Sequence, residues 1–185
     1  MKSKVLALIL LCGAASLGAK VKLPALVGDN MILQQQTEVK LWGTAAPEAE
    51  VRVTPSWNGQ TMTCRADKDG GWTLAVETPA AGYTPYEITF DDGEKTTLKN
   101  ILIGEVWLAS GQSNMEMPLK GFAGCCIMNG ADDIIVSAEN KGVRMFTVPK
   151  HQTYELQTDC KGSWNISSIE TAPDFSATAT ILPLR

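Results

Sequence analysis

ILIGEVWLASGQSNMEMPL, residues 101–119, decides the fold. It opens as an apolar run, Ile101, Leu102 and Ile103, then Val106, Trp107, Leu108 and Ala109. A run of this length, too short to cross a membrane and rich in β-branched residues, predicts a strand buried on both faces, as in a parallel sheet. It stops at Ser110, Gly111, Gln112, Ser113 and Asn114. In α/β folds the chemistry lies beyond the carboxyl ends of such strands. Gly111 permits a tight turn or the close approach of a ligand. Ser113 then presents a hydroxyl, Asn114 an amide, and the local N–H groups could face an oxyanion. An ordinary strand-to-turn junction is the other reading, because Gly, Ser and Asn are also turn formers. The nucleophile elbow of α/β-hydrolases is excluded: it needs a glycine two positions after the serine, and Met115 stands there.

Working outward toward the N-terminus, residues 21–100 read as all-β. Apolar residues recur with period two at Val39 and Leu41, Val51 and Val53, Met62 and Cys64, Trp72, Leu74 and Val76, and Tyr86, Ile88 and Phe90. That period marks strands with one buried face. Turn residues separate them, and Asn58-Gly59 is a strong hairpin signal. Short strands at this spacing predict a sandwich or small barrel. Trp42 and Trp72 fall within strand patterns and read as core; Trp57 lies beside the hairpin. Earlier still, Lys2 and Lys4 precede an apolar segment from Val5 that ends in the small residues Gly18 and Ala19. Residues 1–19 therefore read as a signal peptide, which makes the mature chain an exported protein, periplasmic or extracellular, with no membrane span.

Toward the C-terminus, residues 131–140 predict a helix, with Asp132 and Asp133 in its first turn, Ile134, Ile135 and Ala138 on its apolar face, and Gly142 ending it. Residues 143–148 predict a strand closed by Pro149. Strand, helix, strand would begin an α/β layer. His151, the one histidine, reads as a solvated loop residue. Asn165, Ile166 and Ser167 form a glycosylation sequon. A helix start with proline in its first turn is expected across residues 171–178, and Pro183 would break it.

Composition narrows the function. The chain has 185 residues, is 44% hydrophobic and carries a net charge of −4. The acidic balance argues against a nucleic-acid partner. Four cysteines follow the expected signal peptide: Cys64, Cys125, Cys126 and Cys160. Buried free thiols or one disulfide are expected; the spacing fits no zinc motif, so no metal is expected.

The GQSNM segment, residues 111–115, preceded by GEVWL and followed by EMPL, resembles the first block of the SGNH hydrolases, and more narrowly that of the sialate O-acetylesterases. The likeness extends upstream to LPAL, residues 23–26, and DNMILQ, residues 29–34. Downstream it takes in VRMF, residues 143–146, Trp164, and FSAT, residues 175–178. It implies a mixed α/β chain: a β-sandwich at residues 21–100, then the beginning of a parallel-sheet SGNH domain at residues 101–185, incomplete. It implies a serine esterase that removes acetyl groups from sialic acid or related plant or host glycans, without a cofactor. Ser113 would be the nucleophile and a backbone oxyanion donor, with Gly111, Gln112 and Asn114 beside it. The family's catalytic His follows an Asp by three positions; Val148 stands three before His151, so that pattern is absent there. The expectation is a truncated, inactive fragment. The alternative is a non-catalytic carbohydrate-binding or spacer sandwich.

Overall fold

A computed structural model describes residues 20–181. The expected signal peptide and Pro183 lie outside the described residues. The strands are β1 (Ile32–Gln34), β2 (Glu38–Thr44), β3 (Glu50–Pro55), β4 (Met62–Arg65), β5 (Gly71–Glu77), β6 (Gly82–Asp91), β7 (Lys95–Gly104), β8 (Arg144–Phe146) and β9 (Trp164–Ile166). The helices are α1 (Ser113–Glu116), α2 (Gly130–Glu139) and α3 (Ala177–Ile181), with a 3-10 turn at Ala172–Asp174.

Five strands form a mixed sheet in the order β1-β7-β6-β3-β4. β1 runs parallel to β7; the other pairs are antiparallel. β2 and β5 form a separate antiparallel pair. The period-two residues behave as their spacing demands. β3 buries Val51 and Val53, β6 buries Ile88 and Phe90, and β5 buries Trp72, Leu74 and Val76. Together with Leu41 of β2 and Ile101 and Ile103 of β7 they make one core, shared by both sheets. Trp42 packs against its margin. Trp57 meets Tyr86 edge-on, with ring centroids 5.7 Å apart, and donates to the Glu77 carbonyl at 2.9 Å. The whole is a mixed α/β fold with few helices.

Two local devices set the sheet's shape. Pro85 interrupts the ladder of β6, where the register against β7 slips between Gly82 and Ile88; a residue without an N–H is tolerated at such an irregularity. At the turn into β5, Asp67 Oδ1 accepts from Asp69 and Gly71 N–H at 2.9 and 2.8 Å. Gly70 there has φ +86°, and a Cβ would sit 2.5 Å from the Ala45 carbonyl oxygen, so only glycine fits.

The apolar run at 101–109 departs from the expected strand. Ile101, Leu102 and Ile103 are buried as expected, between β1 on one side and β6 on the other. But β7 ends at Gly104 and belongs to the mixed sheet, spanning the expected boundary at residue 100. Val106, Trp107 and Leu108 are 45%, 75% and 95% exposed and form no strand. No described strand lies alongside to pair with them. An apolar run records hydrophobicity without recording where its neighbours stop.

Beyond α1 the elements are short. α2 spans nearly the expected residues with Asp132 and Asp133 in its first turn, yet Ile135 is 52% exposed rather than facing inward. Ile134 instead joins a small cluster of Leu119, Ala172 and Ala177. β8 pairs antiparallel with β9, not with β7. The strand-helix-strand reading therefore does not yield a parallel layer among the described residues. Hydrogen bonds tie this part to β7 and to the segment before β1: Arg144 to Asn100 Oδ1, the Trp164 indole to the Leu26 carbonyl, and Ala25 N–H to Asp159 Oδ1.

The shared core carries the fold's stability. Phe90 is fully buried and stacks obliquely on Trp72 at 5.8 Å. Phe90→Ala should lower unfolding stability by about 3–5 kcal/mol, read as a drop in the denaturant midpoint at unchanged slope. A loss below about 1 kcal/mol would place the core elsewhere.

Candidate active site

The chain leaves the core at Gly104, runs exposed through residues 105–111, and turns into α1 at Ser113. Gly111, Gln112, Ser113 and Asn114 are all exposed. Gln112 precedes the helix without a side-chain cap. Its carbonyl accepts from Met115 and Glu116 N–H at 2.9 and 3.2 Å, and the Ser113 carbonyl accepts from Met117 N–H at 3.0 Å. The first N–H groups of the turn, at Ser113 and Asn114, have no intrahelical acceptor, as at any helix start. At Gly111 a Cβ would press on Met115 Cγ at 3.0 Å, so the small residue lets the turn close over Met115.

A partner segment, residues 173–178, pins this turn. Ala177 N–H donates to the Met117 carbonyl at 2.8 Å. Leu119 N–H donates to Phe175 at 2.9 Å, and Lys120 N–H to Pro173 at 3.0 Å. The Thr178 hydroxyl donates to the Asn114 carbonyl at 3.1 Å, and Lys120 forms an ion pair with Asp174. Leu119, fully buried against Ala172 and Ala177, is the apolar centre of the arrangement. Sequence reading singled out both segments without seeing that they touch. The signal available was the helix start at residues 171–178, too short to stand without a neighbour.

His151 is exposed, and no hydrogen bond joins it to Ser113 among the described residues. Its neighbour Lys150 pairs with Glu116, which brings this loop to the far end of α1. Asp132 and Asp133 sit in the first turn of α2. Among the described residues, no group of three or more His, Cys, Asp or Glu could hold a metal ion. The four cysteines are free; Cys125 and Cys126 are exposed rather than buried, while burial pushes the half-buried Cys64 thiol up. Asn165 of the sequon is exposed, whereas Ser167 is fully buried against Ser137, with the hydroxyls 2.7 Å apart. No helix among the described residues is long and apolar enough to cross a membrane.

Asp174 and Phe175 of the pinning segment also line a polar hollow, together with Met145, Asn165, Glu170 and Thr171. Ser113 is not part of it. The Ser168 hydroxyl, 2.6 Å from Glu170 Oε2, holds the Glu170 carboxyl below its ordinary value, aided by the Glu170 backbone.

A solved structure described as a novel carbohydrate acetylesterase from Xanthomonas citri matches with a TM-score of 0.78 and 31% identity, over 86% of this chain and 35% of that one. No family model matches the chain. A sialate O-acetylesterase of Rattus norvegicus is 27% identical over 175 residues, 86% of this chain and 31% of its own length. That of Homo sapiens is 29% identical over 161 residues, 80% of this chain and 29% of its own. The chain is thus a homologue of the sialate O-acetylesterases, spanning about a third of the relatives' length.

The Glu170 contact gives a test of the geometry around the pinning segment. A carboxyl whose folded pKa is lowered adds stability above its unfolded pKa and loses it as pH falls through the folded value. The Glu170 carboxyl should titrate below an ordinary glutamate in NMR, and Ser168→Ala should move that midpoint upward. An unmoved midpoint would mean that the Ser168 bond is absent in solution.

Proposed function

We propose that this sequence carries the nucleophile-bearing part of an exported carbohydrate O-acetylesterase of the SGNH type. In this reading residues 1–19 are a signal peptide. Residues 21–100 would form a β-sandwich whose two sheets are those that share the core, with β7 carrying its sheet on to Gly104, and the rest of the stretch to residue 185 would begin the hydrolase domain. The observation that carries the reading is the exposed Ser113 at the start of α1, within the GQSN turn that follows the sheet.

The chemistry is acyl transfer to a serine. Ser113 Oγ attacks the carbonyl carbon of a sugar acetyl ester. A base takes the hydroxyl proton as the new C–O bond forms, and the carbonyl oxygen becomes an oxyanion. Collapse expels the sugar alkoxide, which takes the proton back, and leaves acetyl-Ser113. Water then releases acetate by the same steps. The N–H groups of Ser113 and Asn114 are suited to hold the oxyanion, with Gly111 and Gln112 shaping the approach. None of these steps calls for a cofactor. The substrate is an O-acetylated sugar, a sialic acid or a related glycan.

A serine hydroxyl is a weak nucleophile at neutral pH unless a positioned base activates it. Among the described residues no such base reaches Ser113, so we place the base and its orienting acid outside these 185 residues. That observation also favours a second reading, a sugar-binding chain without catalysis. Retention of acetylated sugar with no acetate release, even after extension to the relatives' length, would select it.

Acetate release from O-acetylated N-acetylneuraminic acid and from a neutral acetylated sugar gives the test. Extended to the relatives' length, the protein should turn over, and Ser113→Ala should reduce it to the residual level, about 10³–10⁴-fold above water, left when a triad member is removed. The 185-residue chain should show no more than that residue, and His151→Ala should leave it unchanged. A Ser113-dependent rate in the short chain that His151→Ala abolishes would make His151 the base.

A further inference from the structure

Where β7 ends, three side chains interlock. Gln35 Nε2 donates to Glu105 Oε1 at 2.6 Å, and Gln34 Nε2 donates to Glu105 Oε2 at 3.1 Å. Each glutamine uses its other end as well. Gln34 Oε1 accepts from Val106 N–H at 2.9 Å, and Gln35 Oε1 accepts from Ala81 N–H at 2.9 Å. The glutamines' own backbone is fixed too. The buried Thr78 hydroxyl donates to the Gln34 carbonyl at 2.7 Å, and Gln35 N–H donates to the Gly104 carbonyl at 2.8 Å.

We propose that Gln34, Gln35 and Glu105 form a clamp that positions the Ser113 segment by fixing the direction in which the chain leaves the sheet. This rests on the reading of Ser113 as the nucleophile. An exposed carboxylate facing two amides is ordinarily a surface network of little weight. Two features set this one apart. First, the orientation of each amide is decided by a backbone donor. Val106 and Ala81 N–H each take a glutamine Oε1 as acceptor, which turns both NH₂ groups toward Glu105. The group between two NH₂ donors has to be acceptor-only, and an ionised carboxylate is the one side-chain group that meets this with two oxygens. Second, the clamp grips the first residues past the strand. Glu105 and Val106 are where the ladder ends and the exposed run begins. Val106 thereby lines an apolar crevice together with Val27, Met31, Leu33, Leu41 and Trp42.

Consistent with this, the Gln35 and Gln34 bonds hold the Glu105 carboxyl below its ordinary value. Glu105→Gln is nearly the same shape but places an NH₂ where one glutamine donates. Turning that glutamine around would take the acceptor from Val106 or Ala81. Glu105→Asp keeps an acceptor-only carboxylate on a shorter stem.

Residue-resolved amide hydrogen exchange on the 185-residue chain separates a positioning role from a merely structural one. Glu105→Gln and Gln34→Ala should each lower the protection of Val106 by about tenfold. They should also shift the NMR resonances of residues 107–113, while the amides of Leu41 and Val76 in the core keep their protection. Glu105→Asp should restore part of the Val106 protection that Glu105→Gln loses. Unchanged protection at Val106, an equal loss throughout the sheet, or Glu105→Asp faring worse than Glu105→Gln would overturn the clamp. Acetate release in the protein extended to the relatives' length is a separate readout. If Ser113→Ala leaves turnover intact there while the exchange results hold, the clamp stands as a structural device and the nucleophile assignment falls.

Discussion

The rest of the structure depends on how β7 is paired and where that pairing stops. Ile101, Leu102 and Ile103 are buried because β1 lies parallel on one side and β6 antiparallel on the other. At Gly104 both neighbours run out. The last ladder bond, from Gln35 N–H, closes on the Gly104 carbonyl. From there the chain carries exposed apolar side chains, and no described strand pairs with it. In the reading proposed above, apolar exposure of this kind calls for a covering partner. In the proposed enzyme that partner is the remainder of the hydrolase sheet.

Ser113 is presented by contacts made far along the chain. α1 is a single turn and would not persist alone, since one turn of helix fixes several dihedrals for little return. It is held by three backbone bonds from residues 117–120 to residues 173–177, the Thr178 hydroxyl on Asn114, and the buried Leu119. The same pinning brings Lys120 to Asp174. Ion pairs this exposed add little stability, so burial of Leu119 and the backbone bonds must do most of the holding. In the proposed enzyme this anchoring would hold the Ser113 hydroxyl in place, and the groups that activate it would approach from its open side.

The β half was legible because period two is a local property. Val51 and Val53, or Ile88 and Phe90, alternate with polar neighbours, and each strand can be read without knowing its partner. The pairing was not legible: nothing local says that β1 joins β7 in parallel or that β2 leaves with β5. The run at 101–109 shows the limit more sharply. Ile103 and Leu108 look alike in sequence, yet one is buried and the other 95% exposed, because the neighbours of the first have ended before the second. Around Ser113 the residue types could be read, since Gly, Ser and Asn after an apolar run suggest a turn with donors. The anchoring by Phe175, Ala177 and Thr178 could not, because it joins positions some sixty residues apart. The amide pair on Glu105 was equally hidden, since Gln34 and Gln35 come seventy positions earlier.

The central claim is that Ser113 is the nucleophile of an acyl-transferring site. Labelling with a serine-directed fluorophosphonate, mapped by peptide mass spectrometry, tests it most directly in the protein extended to the relatives' length. A single adduct on the peptide bearing Ser113, absent in the unfolded protein, is the expected result. An adduct on another serine, or equal labelling of Ser113 after unfolding, would contradict the account.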